Sequence, residues 1–108
     1  MSIFTHLSKI RAFEALHLPL LLTREDCDIV RVVGLYQEQV KPLLLKQLFL
    51  EGIGSFSTVN RRLARLRNEG YVQVSAGLDR RSICLSLSPQ IMRTYQRYGR
   101  LLQSLIAA

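Results

Sequence analysis

The sequence predicts a mainly α-helical domain with one two-stranded β-hairpin, which places it in the α+β fold class. Apolar residues recur at three- and four-residue steps in four separate segments, as expected for helices that bury one face. A single stretch after Gly70 instead alternates apolar and polar residues, as a hairpin does. With 108 residues the chain can bury only one modest core, so residues 1–108 are interpreted as a single domain.

The first and last predicted helices have apolar stripes that suit either the chain's own core or a subunit interface. The first covers residues 2–17 and is stopped by Pro19, and the last covers residues 89–106, with Ser88 and Pro89 as its cap and first helical residue. A chain this small gains stability from a partner subunit, which favours the interface and a homodimer. The predicted interface residues are Ile3, Leu7, Ile10, Ile91, Tyr95, Tyr98, Leu102 and Leu105.

Two more helices precede the most basic segment of the chain. Thr23, followed within three residues by two acids, is a typical helix start, because its hydroxyl can cap the helix and the acids meet the positive end of the helix dipole. This second helix should continue until Pro42. A short third helix is expected from about Leu43 to Glu51, followed by the turn Gly52-Ile53-Gly54. Two helices joined by such a turn form a helix-turn-helix.

The fourth predicted helix, Ser57 to Arg67, separates an apolar face from a basic one. Ser55 or Ser57 can cap its start, and Gly70 can supply the left-handed conformation that ends it. The residues predicted to be core are Phe56, Val59, Leu63 and Leu66. The residues predicted to point away from the core are Thr58, Arg61 and Arg65, with Ser57 close by and Asn60 and Arg62 on the flanks.

The hairpin is predicted to end in a protruding basic tip. Its strands cover residues 71–75 and 82–87, and Gly77 supplies tight backbone geometry between them. Asp79, Arg80 and Arg81 follow in the loop, and a protruding arginine pair suits the narrow, electronegative minor groove of DNA. Asp79 can also serve ordinary turn chemistry by pairing locally with a wing arginine.

The net charge of +7 lies in the second half of the chain, with +4 in residues 55–87 and +3 in residues 88–108. On an isolated helix such cations are more often a solvated face, but a basic helix followed by a basic hairpin favours a polyanion partner, double-stranded DNA. The predicted DNA-binding residues are Ser57, Thr58, Asn60, Arg61, Arg62, Arg65, Asp79, Arg80 and Arg81.

Several other classes of protein receive little support. Cys27 and Cys84 lack metal-ligand spacing and a disulfide framework, so we expect no metal and a reducing, cytoplasmic location, at the nucleoid when DNA is bound. The apolar runs are too short to cross a membrane. No nucleophile–base pair, phosphate loop or carboxylate pair has the needed spacing, so neither an enzyme nor a cofactor is expected.

These features together resemble the winged-helix domain of MarR-type transcriptional regulators. Leu22-Thr23 resembles the family's entry into its second helix, and residues 57–63, with Leu66 and residues 69–72, resemble its recognition helix. Asp79-Arg80-Arg81 and the following residues 85–89 are similar to its wing. The resemblance covers roughly two thirds of the chain.

The resemblance implies a homodimer on a pseudo-palindromic operator, with each basic helix in a major groove and each wing near a minor groove. In this interpretation Ser57 and Thr58 contact phosphate or base, Arg61 and Arg65 read base edges, and Arg62 anchors a phosphate. Family members often bind a small aromatic effector beside the dimer helices. No pocket for such an effector is visible in this sequence.

Two alternatives remain open at this stage. The atypical turn at residues 52–54 and the short terminal helices also suit a winged-helix protein-interaction module that docks on an acidic partner without reading DNA. An RNA-binding winged helix fits the charge, but Tyr95 and Tyr98 look buried, so the exposed aromatic platform that binds single strands is missing.

Overall fold

A computed structural model describes residues 2–77 and 79–107. Its elements follow one another in this order: α1 (Ile3–His17), α2 (Arg24–Glu38), β1 (Leu43–Leu44), α3 (Leu45–Phe49), α4 (Phe56–Asn68), β2 (Val72–Ala76), β3 (Ile83–Leu87) and α5 (Pro89–Ala107). The predicted mainly α-helical α+β fold is therefore confirmed, with α3 and α4 as the helix-turn-helix and β2–β3 as the wing.

The sheet has three strands where the sequence predicted two. The strand order is β1-β3-β2 and both pairings are antiparallel. Leu43 and Leu44 pair with Leu85 and Cys84, so the third helix begins at Leu45 and not at Leu43. A two-residue strand is too short to show an alternating pattern, and for this reason the sequence did not indicate it.

The helix-turn-helix, α2 and the sheet share one core. Leu48 of α3 and Leu66 of α4 are fully buried, and Ile29 and Val33 of α2 pack in the same cluster. This packing fixes the position of α4 relative to the wing. The other buried members of the core cluster are Leu18, Val30, Val32, Leu43, Val59, Leu63, Tyr71, Val72, Leu85, Leu87 and Ile91.

The predicted helix ends are present. The Thr23 hydroxyl accepts the backbone N–H of Asp26, and the Asp26 carboxylate in turn accepts the N–H of Thr23, which completes a capping box. Ser88 caps α5 by accepting the Ile91 N–H at 3.3 Å. Gly70 follows α4 with φ 81°, the left-handed conformation that glycine adopts without strain.

The terminal helices differ from prediction in where their apolar residues lie. α1 packs on α5, yet none of the residues of α1, all of which the structure describes, is buried. Ile3 and Leu7 remain exposed and Ile10 is half-buried. Ile91, predicted at a subunit interface, instead belongs to the chain's own core, where it clusters with buried residues of α2 and of the sheet. Tyr95 and Tyr98 are half-buried against that core. Leu102 is half-buried and Leu105 is buried.

Candidate nucleic-acid interface

The outer face of α4 is polar and cationic because the opposite face enters the core. Val59, Leu63 and Leu66 are buried. Ser55 is the cap: its hydroxyl accepts the backbone N–H of Thr58 at 3.3 Å, and Thr58 itself is half-buried. The residues of α4 that remain exposed are Phe56, Ser57, Asn60, Arg61, Ala64, Arg67 and Asn68.

Two arginines of α4 do not lie where the sequence placed them. Arg62, predicted to anchor a phosphate, directs its guanidinium to the buried carboxylate of Asp26 with a bond from Nε at 2.8 Å and a second bond from Nη2. Arg65, predicted to point outward, donates from Nη1 to the backbone carbonyl of Leu20 at 2.7 Å. Their side chains are 16% and 30% exposed, so both are turned toward the protein.

The contacts of Asp26 with α4 were not predicted from the sequence, because Asp26 was interpreted only as an acid of the first turn of α2. It is fully buried, and its carboxylate also accepts the backbone N–H groups of Leu22 at 2.9 Å and Thr23 at 3.0 Å. Burial raises the pKa of Asp26, but the hydrogen bonds from Arg62 and from these two N–H groups outweigh it, so the pKa lies below its ordinary value of 3.8. The carboxylate is therefore ionised at neutral pH.

Phe56 was predicted to be core but is 66% exposed. Its ring packs on Phe49 of α3, with the two centroids 4.4 Å apart. Leu50, in the turn that follows α3, is exposed as well. The helix-turn-helix therefore presents an apolar patch at its turn, formed by Phe49, Leu50 and Phe56, next to the start of α4.

The wing ends in a tight loop organised by Asp79. Its carboxylate accepts the backbone N–H groups of Arg81 at 3.1 Å and Ser82 at 2.9 Å, and these bonds lower its pKa, the bond from Ser82 most. Asp79 therefore has the predicted local turn role, toward backbone rather than a guanidinium. Arg80 and Arg81 are exposed beside it, and Leu78 lies outside the described residues.

A groove connects α4 to the wing. A cavity of about 100 Å³ is lined by Asn60, Ala64 and Arg67 of α4 and by Val74 and Ile83 of the hairpin. A second cavity of about 250 Å³ is also lined by Ile83, together with Lys46 and Arg81. The two cavities share Ile83, so Arg67 of α4 and Arg81 of the wing line neighbouring parts of the same side of the molecule.

The described part of the chain offers little else of a chemical kind. Among residues 2–77 and 79–107, no three His, Cys, Asp or Glu side chains are grouped so that they could hold a metal ion. Within the same ranges, no helix has the length and hydropathy needed to cross a membrane. Cys27 and Cys84 are both free thiols and half-buried.

Comparison with known proteins gives structures but no sequence relatives. No protein-family model and no curated protein matches the sequence. A MarR-family transcriptional regulator from Silicibacter pomeroyi matches with a TM-score of 0.57 at 18% identity, over 94% of this chain and 67% of the regulator.

Two further matching structures contain DNA. The Mycobacterium tuberculosis transcriptional regulator MOSR, solved in complex with DNA, matches with a TM-score of 0.56 at 23% identity, over 99% of this chain and 78% of MOSR. Streptococcus pneumoniae FabT, also in complex with DNA, matches with a TM-score of 0.59 at 18% identity, over 97% of this chain and 77% of FabT. At such identities the likeness establishes the fold, and the chain has the winged-helix fold of MarR-type regulators, as its sequence predicted.

Proposed function

We propose that this chain is a sequence-specific DNA-binding transcriptional regulator that acts in the cytoplasm. The observation that carries the proposal is the exposed polar face of α4, which shares a groove with the hairpin whose tip exposes Arg80 and Arg81. An exposed helix of this kind fits the major groove, and a pair of arginines on a protruding loop fits the minor groove. The DNA complexes of MOSR and FabT, which have the same fold, support this choice of partner.

The structure changes which side chains we propose to read the bases. Asn60 and Arg61 are exposed on the outer face of α4, and asparagine and arginine pair with the major-groove edges of adenine and guanine. We propose that Ser57 and Thr58, at the helix start, bind a phosphate together with the helix N-terminus. Arg62 and Arg65 leave the proposed contact set because they bind groups of the protein.

We further propose that the protein acts as a homodimer through α1 and the end of α5. Ile3, Phe4 and Leu7 expose a row of apolar side chains on α1, and Ile106 does so at the end of α5. Soluble monomers rarely expose such a row, and a second copy of the chain would cover it. Two α4 helices related by a two-fold axis would then read half-sites about one helical turn, roughly 34 Å, apart.

Selection of bound duplexes from a random DNA pool at two salt concentrations tests the proposal. An enriched inverted repeat with half-sites about 10 base pairs apart is the expected result. On that site Arg61→Ala should cost about 1–3 kcal/mol and relax the preference at one base pair. Arg31→Ala is the matched control, because Arg31 is an exposed arginine of α2 that lines a cavity on the side of α5. Equal losses for both variants on every sequence would contradict base reading by Arg61.

A second candidate function follows from the apolar patch at the helix-turn-helix. Exposed Leu50 and Phe56 lie beside the cations of α4, a combination that suits a protein partner with acidic and apolar groups. DNA binding without any enriched motif, together with tight binding to an acidic protein, would favour this protein-interaction module over the regulator.

A further inference from the structure

A buried carboxylate faces the recognition helix from another part of the chain. Asp26 lies 36 residues before Arg62 in sequence, and two bonds join their side chains. Asp26 Oδ2 is also 3.9 Å from Arg65 Nη1, which donates to the Leu20 carbonyl. Asp26, at the start of α2, therefore forms an ion pair with Arg62 and lies next to Arg65.

We propose that Asp26 is a positioning residue that sets DNA specificity by withholding Arg62 and Arg65 from the phosphates. This inference rests on the proposed function. Both arginines belong to the helix that would enter the major groove, and both have side chains long enough to reach the flanking backbone when they are free. Bound to Asp26 and to the Leu20 carbonyl, they add no phosphate contacts, and base readout is left to Asn60 and Arg61.

The physical basis is the difference between specific and non-specific binding. Phosphate contacts supply nearly all non-specific affinity, and each neutralised phosphate steepens the salt dependence of log K by about 0.9. An additional free arginine therefore strengthens binding to every sequence alike and lowers the ratio of specific to non-specific affinity. A carboxylate that neutralises such an arginine within the protein raises this ratio without touching DNA.

Asp26→Asn tests the inference directly. Asparagine has nearly the same shape and keeps an oxygen for the backbone N–H of Thr23, but it no longer holds a cation. On a random duplex we expect the salt slope to steepen by about 0.9 for each released arginine, so that affinity falls about 3.5-fold more between 50 and 200 mM salt for one release. The preference for the selected site over the random duplex should shrink.

The matched control is Asp28→Asn. Asp28 is also an acid of α2, but it pairs with Arg24 and Arg31 of its own helix and not with α4. The substitution changes the net charge by the same amount and frees no arginine of the recognition helix. Its slope should remain near that of the wild type, which separates release of Arg62 from a general gain of charge.

Two other variants extend the test, and the second keeps the inference falsifiable if Asp26→Asn does not fold. Asp26→Asn combined with Arg62→Gln removes the released cation and should restore the wild-type slope. Arg65→Gln alone should leave the fold intact, because the Arg65 side chain is partly exposed. The salt slope of this variant should equal that of the wild type. A slope lower by about 0.9 in Arg65→Gln would show that Arg65 already contacts a phosphate and would overturn the inference.

The outcomes separate the inference from the proposed function. A wild-type protein that shows no DNA binding or no enriched motif overturns the proposed function. A wild-type protein that selects a motif, with identical slopes for Asp26→Asn and Asp28→Asn, overturns the inference alone. A steeper slope for Asp26→Asn only, cancelled by Arg62→Gln, supports both.

Discussion

Replacing Asp26 with asparagine should make the folded state less stable at neutral pH. The carboxylate accepts two backbone N–H groups and two N–H groups of Arg62, and it has no contact with solvent. Breaking a buried ion pair costs about 3–5 kcal/mol when the remaining charge stays buried. The Arg62 side chain is 16% exposed and can turn to water, so we expect a loss of about 2–3 kcal/mol at pH 7.

The same loss should disappear in acid. Because the pKa of Asp26 is lowered in the folded protein, the stabilisation from its charge is present above the unfolded-state pKa and is lost as the pH falls through the folded-state pKa. Once protonated, Asp26 resembles asparagine. The gap in unfolding free energy between wild type and Asp26→Asn should therefore begin to close as the pH falls to the unfolded-state pKa, about 3.9. It should vanish below the folded-state pKa.

Urea unfolding followed by circular dichroism, at several pH values between 7 and 3, measures this gap. Asp28→Asn is again the control, because it removes a partly exposed acid from pairs within one helix, and such pairs contribute about 0.3–0.5 kcal/mol. A gap below about 1 kcal/mol at pH 7 would refute the strength assigned to the ion pair. A gap that stays constant down to pH 3 would refute its electrostatic origin.

Two further predictions concern the core and the thiol of α2. Leu66→Ala should lower the free energy of unfolding by about 2–5 kcal/mol, because the Leu66 side chain of α4 is fully buried in the core. In the same urea experiment the control, Leu50→Ala, should change the free energy of unfolding by no more than about 0.5 kcal/mol, because Leu50 is exposed. Burial, together with nearby acids, raises the pKa of Cys27, so in a Cys84→Ser background iodoacetamide should modify Cys27 more slowly in the folded protein than in urea. Equal rates would show that the thiol is not protected.

The local features of this fold were predictable from sequence because each depends on a few neighbouring residues. The Thr23 cap, Ser88 with Pro89 and the left-handed Gly70 all have the predicted role. β1 was missed because two residues contain no periodic signal, and its pairing partner, β3, lies 40 residues away in sequence. Local patterns therefore predicted the helices and the hairpin but not the edge of the sheet.

The site was only partly predictable because a helical wheel gives the direction of a Cα–Cβ bond, not the position of a long side chain's charge. Arg61 is exposed, as its position on the wheel predicted. Arg65 also lay on the predicted outer face, yet its guanidinium reaches back to a carbonyl of another segment. Phe56 lay on the apolar face but sits at the first turn, where α3 covers only part of it. Each discrepancy depends on a contact that is distant in sequence or at a helix end.

The number of arginines in the proposed DNA-binding segment therefore overstates the number that are free to contact a phosphate. Residues 55–87 contain six arginines, but only Arg61, Arg67, Arg80 and Arg81 are exposed. Arg61 is proposed to read a base, so if Arg67, Arg80 and Arg81 each meet one phosphate they contribute about −2.7 per protomer to the salt slope, whereas free Arg62 and Arg65 would bring this to about −4.5. Asp26 binds Arg62 within the protein, and under the proposed function this would limit non-specific attraction to DNA and leave base reading to the exposed face of α4. A measurement of the salt slope would therefore count the arginines that contact phosphates and separate them from those that bind groups of the protein.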